Sequence, residues 1–346
     1  MRTKVNIIIL NHNGIDDTRE CLNSVLKTKF PGFRVVVVDN GSLINEAKIL
    51  SQEFKNNKVS FLRFNKNWGF TGGNNKALKK INTKYLVLLN NDTVVAPLWL
   101  KYLINTMEQD EKIAVAQAKM HSYFKKNFFE YAGAAGGFID KYGYPFTQGR
   151  IFNTVELDEG QYDNMRNIFW ASGAAMAIRR SVIKKIGCLF DKVFFNYMEE
   201  IDFCWQVWNL GLRVVIVPKA IVYHKVAATA KKNLFLKRYW EHRNNLLILI
   251  KNLPKRDFFK IVIIRFLLEL VTYIYYFSIG QPIYALSLLR AHFDFIRLAP
   301  TYLGKNTNGL NGRRMSLKDL PIYRSSIVFD YFVRKKIYFK LLKWNN

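Results

Sequence analysis

Three polar residues, Asn90, Asn91 and Asp92, end the apolar run YLVLL that begins at Tyr85. Val and Leu without alternation fit a strand buried on both faces, as in a parallel sheet. Its polar end lies where open α/β sheets bind ligands, outside the carboxyl ends of the strands. A carboxylate there can hold a hard cation such as Mg²⁺ or Mn²⁺. Taken alone, the triplet is better read as an Asn-Asp turn after a strand. Two earlier runs, VNIIILN and FRVVVVDN, end the same way in Asn11 and Asp39. Asp39 at such an end can accept from a nucleobase N–H. Gly69, Gly72 and Gly73 in NWGFTGGNN let backbone approach a ligand closely. The densest acidic cluster is Glu199, Glu200 and Asp202, and the lone His224 can complete a metal shell. Together these residues point to a nucleoside-diphosphate site with a metal. NWGFTGGNN is not a phosphate loop, because it lacks the Lys-Ser/Thr ending and the G-x-G-x-x-G spacing.

The elements that must position these residues alternate. Strands are predicted at Val5–Leu10, Phe33–Val38, Val59–Phe64, from Tyr85 and at Ile113–Ala118. Helices are predicted from Asp17 to Leu26, over Glu46–Phe54, after NWGFTGGNN through Ile81, and from near Pro97. Such alternation argues a parallel sheet with right-handed crossovers, whose polar strand ends share one edge. Ile168–Ile178 reads as one apolar strand, Arg180–Ile186 as a helix closed by Gly187, and Val214–Val217 as a last strand. Glu199 and Glu200 fall on a loop or extended segment, where adjacent side chains diverge.

In order and spacing, IIILNHNG, VVVVDNGS, NWGFTGGNN, LLNNDT and NYMEEIDFCWQVWNLG followed by VYH resemble the family 2 glycosyltransferases. The resemblance covers roughly residues 4–250, and the rhamnosyltransferase-like enzymes of bacterial cell-surface polysaccharide assembly are the most similar subgroup. It implies the GT-A fold, an α/β architecture with a mostly parallel central sheet. It implies that Asn11 and Asp39 contact the base and ribose, and that Asn67, Gly69, Asn74 and Asn91 lie along the nucleotide-sugar. Asn90-Asn91-Asp92 takes the place of an acidic Asp-x-Asp metal motif. Asn90 is a departure from it, which leaves Asp92 as the charged ligand for Mg²⁺ or Mn²⁺, with His224 beside it. Glu200 takes the position of the catalytic base, with Asp202 as the second candidate. The residue pattern leaves another role open for Asp202, stabilising the start of the helix that follows. Trp170, Trp205 and Trp208 read as packing residues.

The chain has 346 residues and a formal charge of +27. Residues 225–346 hold 23 Lys/Arg against 6 Asp/Glu, so most of the excess lies in the last third. Three scattered cysteines show no disulfide framework or zinc spacing and suit a reducing compartment as small core residues. Nothing near Met1 reads as a signal peptide. Residues 1–250 are expected to form the catalytic domain and 251–346 a helical, basic, apolar extension. Within it, Ile261–Ile279 is nearly all apolar, with Arg265, Glu269, Thr272, Tyr273 and Tyr276 on one stripe. Gly280 and Pro282 break it before a second helical pattern over Ile283–Leu298. This predicts a hairpin lying on an anionic membrane surface, with a buried helix pair and a spanning hairpin as the alternatives.

The expected activity is inverting transfer from a nucleoside-diphosphate sugar to a glycan or lipid-linked hydroxyl, on the inner face of the cell membrane. Transfer directly to a polyprenyl phosphate is the rival within enzymes. Nucleotidyl transfer wants a Gly-rich basic signature near the N-terminus, which Leu10–Asn13 lacks. A non-catalytic nucleic-acid binder would use the +27, but these charges sit among long apolar stretches, so no nucleic-acid partner is expected.

Overall fold

A computed structural model describes residues 3–130, 133–226, 234–303 and 314–344. The first half alternates as predicted: β1 (Val5–Asn11), α1 (Ile15–Leu26), β2 (Phe33–Asn40), α2 (Glu46–Glu53), β3 (Val59–Phe64), α3 (Gly69–Leu78) and β4 (Tyr85–Asn90). Next come β5 (Thr93–Val95), α4 (Trp99–Gln109) and β6 (Ile113–Ser122), then four short strands, β7 (Gly137–Ile139), β8 (Pro145–Thr147), β9 (Arg150–Ile151) and β10 (Thr154–Val155). The remaining strands and helices are β11 (Arg166–Asn167), β12 (Ala175–Arg179), α5 (Arg180–Ile186), α6 (Glu199–Asn209), β13 (Arg213–His224), α7 (Leu234–Asn252), α8 (Lys255–Ser278), α9 (Pro282–Leu303) and α10 (Ile327–Phe332).

Among the described residues, β11-β13-β6-β12-β4-β1-β2-β3 pair in that order, with β5 on β13, and β7–β10 form a small antiparallel sheet. Among the described residues the main sheet is mixed, with six strands running one way and β5, β11 and β12 against them. β12 runs antiparallel between β4 and β6, and β5 and β11 run antiparallel to β13. The reason is the route after β6, which passes through the small sheet and returns without a crossover helix, the connection a parallel neighbour needs. β1, β2, β3, β4, β6 and β13 still point one way. Their carboxyl ends bring Asn11, Asn40, Asn90 and His224 to one edge.

Alternation along each strand builds two cores. Ile7, Ile9, Val35, Val37, Val87 and Leu89 face α1 and α4. Ile8, Val36, Val38, Leu86 and Leu88 face α3, α6 and α7. Of the predicted strand at Ile168–Ile178 only the end from Ala175 is strand, because Gly173 and Ala174 turn the chain, Ala175 N–H donating to Ser172 O. β13 runs past Pro218 to His224, with a register shift between Val217 and Ile221 absorbing the proline. Cys21 and Cys204 are buried as expected, whereas Cys188 is exposed.

The last third divides its packing. Residues 314–344, unplaced by sequence, return to the small sheet, where Tyr323, Phe339 and Trp344 cluster with Phe138 and Phe146. α8 and α9 form the expected hairpin, turned so that its polar stripe faces inward. Arg265 and Glu269 pair at 2.7 Å with both side chains buried, and His242 Nδ1 of α7 meets Glu269 Oε2 at 2.8 Å. They are the only charged residues between Lys260 and Arg290. Outward, Ile263, Leu267, Leu270, Ile274, Leu286 and Phe293 are each at least half exposed. Among the described residues no helix is long and apolar enough to cross a membrane.

Candidate active site

At the common strand edge, Asn11 and Asp39 are fully buried and fully used. Asn11 Nδ2 donates to Glu46 Oε2 at 2.6 Å, while its Oδ1 accepts from Gly14 N–H (3.2 Å) and Asn91 Nδ2 (3.3 Å). Asp39 Oδ1 accepts from Ser42 N–H (2.8 Å), and its Oδ2 faces Ala47 N–H and Arg63 Nη1, each at 3.4 Å. Glu46 also accepts from Gly14 N–H and Ser42 Oγ, so one buried carboxylate joins the loops after β1 and β2. Sequence reasoning missed Glu46, because two of its three partners, Gly14 and Asn11, lie 32 and 35 residues away.

Asp92 and His224 converge as expected. His224 ends β13 opposite Thr93 of β5, which places its Nε2 3.0 Å from Asp92 Oδ1 and 3.5 Å from Asn90 Nδ2. Lys225 fixes this strand end to α1 through Asp17 (2.8 Å) and Glu20 (2.5 Å). The Lys225 hydrogen bond holds the Glu20 carboxyl below its usual range. Asp92 and His224 fit a divalent cation. Two ligands at right angles on an octahedral ion, with bonds of about 2.1 Å, stand about 3 Å apart. No group of three His, Cys, Asp or Glu occurs among the described residues, so diphosphate oxygens and water would fill most of the shell.

The NWGFTGGNN segment turns from loop into helix at Gly69, whose φ is +68°. Asn67, exposed, receives Gly69 N–H at 2.8 Å and Asn40 Nδ2 at 3.1 Å. A Cβ on Gly69 would lie 2.4 Å from Phe195 O, so this glycine admits the neighbouring loop rather than a ligand. Asn74 does not join the site: it is buried within α3 and donates to Phe70 O at 2.9 Å.

Glu199 and Glu200 begin α6 instead of lying on a loop, and their side chains do not diverge: each carboxyl acts on the other. Burial, and then the Glu200 charge, push the Glu199 carboxyl well above its usual range. Burial raises Glu200 as well, opposed by its bonds to Glu199 and to Gly173 N–H. Oε2 of each is buried without a hydrogen-bond partner. Burial and the neighbouring charge favour the protonated form more strongly at Glu199 than at Glu200, which is the less buried of the two. Gly173, whose N–H opposes the rise of the Glu200 carboxyl, precedes Ala174, whose carbonyl accepts from Asn90 N–H at 3.0 Å, so Glu200 lies near the strand end that leads into Asp92. Asp202 points away. Lys251 Nζ (2.6 Å), Asn252 Nδ2 (2.8 Å) and Gln206 Nε2 (2.9 Å) occupy it, and burial still holds its carboxyl above the usual range. Its acceptors are spent on packing, which sets it apart from Glu200.

The profile of Glycosyl transferase family 2 matches residues 6–187, more than half of the chain. The chain is 27% identical over 240 residues to the O-antigen biosynthesis protein RfbC of Myxococcus xanthus, covering 68% of this chain and 18% of that one. It is 25% identical over 221 residues to the low-salt glycan biosynthesis hexosyltransferase Agl10 of Haloferax volcanii, covering 62% and 64%. Among solved structures, the crystal structure of GalNAc-T7 with UDP, GalNAc and Mn²⁺ superposes with a TM-score of 0.58 at 16% identity, over 73% of this chain and 49% of that one, a likeness of fold. In each case less than two thirds of the other protein is spanned. With the ordered motifs and the shared strand edge, these matches show that the chain belongs to glycosyl transferase family 2.

Proposed function

We propose that this protein transfers a hexosyl or deoxyhexosyl group, with inversion, from a nucleoside-diphosphate sugar to a hydroxyl of a glycan or lipid-linked acceptor in cell-surface polysaccharide synthesis. The observation that carries the reading is the meeting of Asp92 and His224 at the common strand edge, with the buried carboxylate of Glu200 at the start of α6 facing the Gly173 turn beside β4. Asp39, Glu46 and Asn11 shape the loops that receive the nucleotide. Asp92 and His224 would hold a divalent cation, and that ion, when bound, would supply positive charge beside the departing diphosphate. Glu200 takes the acceptor proton as that oxygen attacks the anomeric carbon from the opposite face. An elevated pKa suits a base that works near neutral pH. Asp202 and Asn74 are assigned to packing.

The hairpin supports a membrane location on the inner face. Its outward surface carries no charge from Ile263 to Leu289, while Lys255, Arg256, Lys260, Arg290 and Arg297 stand exposed at its base. An apolar tip with a basic collar matches acyl chains beneath anionic headgroups. On vesicles containing phosphatidylglycerol, the protein should sediment with lipid, and Leu267→Asp with Ile274→Asp should release it. Unchanged sedimentation of that double variant removes the hairpin from the interface.

Incubation with a panel of nucleoside-diphosphate sugars and Mn²⁺ tests the reaction. A donor at 100 times its dissociation constant should stabilise the fold by about 2.7 kcal/mol. Transfer should follow when a glycan or lipid-linked acceptor is added. The absence of both stabilisation and transfer across the panel overturns the reading.

A further inference from the structure

The loop before α6 carries an unusual backbone. Tyr197 and Met198 have φ of +67° and +71°, the left-handed region that residues other than glycine rarely occupy. Two such residues in succession persist only where neighbours impose them. The neighbour here is α7. Asn244, fully buried, donates through Nδ2 to Asn196 O at 2.9 Å and to Tyr197 O at 2.8 Å. Its Oδ1 accepts from Arg243 Nε (2.9 Å) and Nη2 (2.7 Å), which fixes which way the amide faces. Arg243 Nη2 reaches the same loop at Val193 O, 2.9 Å away.

Eight residues further along α7, about 12 Å at 1.5 Å per residue, Lys251 and Asn252 take hold of Asp202. α7 therefore grips the chain on both sides of Glu199 and Glu200, before them at Asn196–Tyr197 and after them at Asp202. The gripped loop also meets the start of α3: Phe70 N–H donates to Asn196 Oδ1 at 2.7 Å and Thr71 N–H to Phe195 O at 3.3 Å. From this we infer that Asn244, oriented by Arg243, is a positioning residue that holds the 193–198 loop in its left-handed form and so sets how Glu199 and Glu200 face each other. The inference rests on the assignment of Glu200 as base, but its test has a readout that needs no transfer.

Asn244→Asp keeps an acceptor for Arg243 while removing both N–H donors, so the fold retains its buried guanidinium partner. Asn244→Ala with Met198→Gly removes the grip but also the need for it, because glycine takes positive φ freely. In wild-type protein with ¹³C-labelled glutamate carboxyls, the pair should titrate above the ordinary carboxylate range. In Asn244→Asp that titration should move down toward the ordinary range, and Tm should fall, because two buried loop carbonyls lose their donor. Turnover should fall about 10²-fold, the effect of misplacing a reacting group by about 1 Å, with the donor KM within about twofold. Adding Met198→Gly to Asn244→Ala should recover most of the turnover that Asn244→Ala loses. A folded Asn244→Asp protein with a wild-type carboxyl titration overturns the inference, whether or not transfer is seen. A wild-type protein that transfers nothing, yet shows the titration shift in Asn244→Asp, overturns the assigned reaction and leaves the grip of α7 standing.

Discussion

The strand edge and the first turn of α6 both bury carboxylates, and they treat them in opposite ways. At the edge, Asp39 and Glu46 meet N–H and O–H donors from Ser42, Gly14 and Asn11. At α6, one oxygen of Glu199 and one of Glu200 are buried without a partner. A satisfied acid orders the backbone that satisfies it. An acid denied donors resists ionisation, and that makes it useful for moving a proton. The comparison assigns loop-building to the first region and chemistry to the second, and each substitution below strikes one side of it.

Glu200→Gln strikes hardest. The amide keeps the shape and removes the basicity, so turnover should fall by about 10²–10⁴ with donor binding intact. Asp202→Asn, two residues on, should do the reverse. Breaking a buried ion pair by removing one partner costs about 3–5 kcal/mol, so this variant should melt early yet keep its turnover while folded. Steady-state kinetics beside thermal melts separate the two. A folded, inactive Asp202→Asn protein with a fully active Glu200→Gln protein would exchange their roles.

Asp92→Asn comes next. It leaves His224 without the carboxylate that faces it and should lower turnover by at least about 10²-fold, consistent with several kcal/mol of metal assistance. Nucleoside-diphosphate affinity should become insensitive to Mn²⁺ and to chelator. Calorimetry with and without metal reads this directly, and full activity in excess chelator breaks the metal assignment.

Asp39→Ala tests the satisfied side. Hydrogen bonds to a charged group are worth about 1.5–3 kcal/mol, and losing those that Asp39 makes to Ser42 and Ala47 should loosen the loop that receives the nucleotide, so the donor dissociation constant should rise about tenfold while turnover at saturation stays near wild type. Unchanged affinity would mean that the order of the Asp39 loop is irrelevant to the donor.

How much of this was legible beforehand follows from contact range. The strands ending at Asn11, Asp39 and Asn90 were readable because a strand buried on both faces leaves an unbroken apolar run. The meeting of Asp92 with His224 followed from the motif order, although 132 residues separate them. The antiparallel β12 was hidden, because direction is set by the route between strands and not by their composition. Asp202 looked like one more acid in a cluster, because Lys251 and Asn252 arrive from a helix 49 and 50 residues later. Arg265 and Glu269 were readable as a helix pair, but the side they face depends on α7. Asn244 gave no local signal at all, since the loop it holds lies 47 and 48 residues upstream.

Glu199→Gln should have the smallest effect on rate and the most telling sign on stability. Gln can still donate to Glu200, so turnover should stay within about tenfold of wild type, short of the 10²–10⁴ expected from losing a base. Both carboxyls are raised in the folded protein, Glu199 the more strongly, by burial and by the neighbouring charge. A raised acid favours folding when it is protonated. Its contribution is fully present below the unfolded carboxyl value and is lost as pH rises through the folded one. At pH 7 the raised pair therefore lowers the stability of the wild type, and Glu199→Gln removes part of that loss. The variant should melt higher than wild type near neutral pH, by an amount on the order of 2 °C for each kcal/mol relieved. The gain should vanish near pH 4, where both carboxyls are protonated in either state. A variant that melts lower at neutral pH would mean that Glu199 is held as a satisfied anion like Asp39, and the contrast between the two regions would fail at its most buried residue.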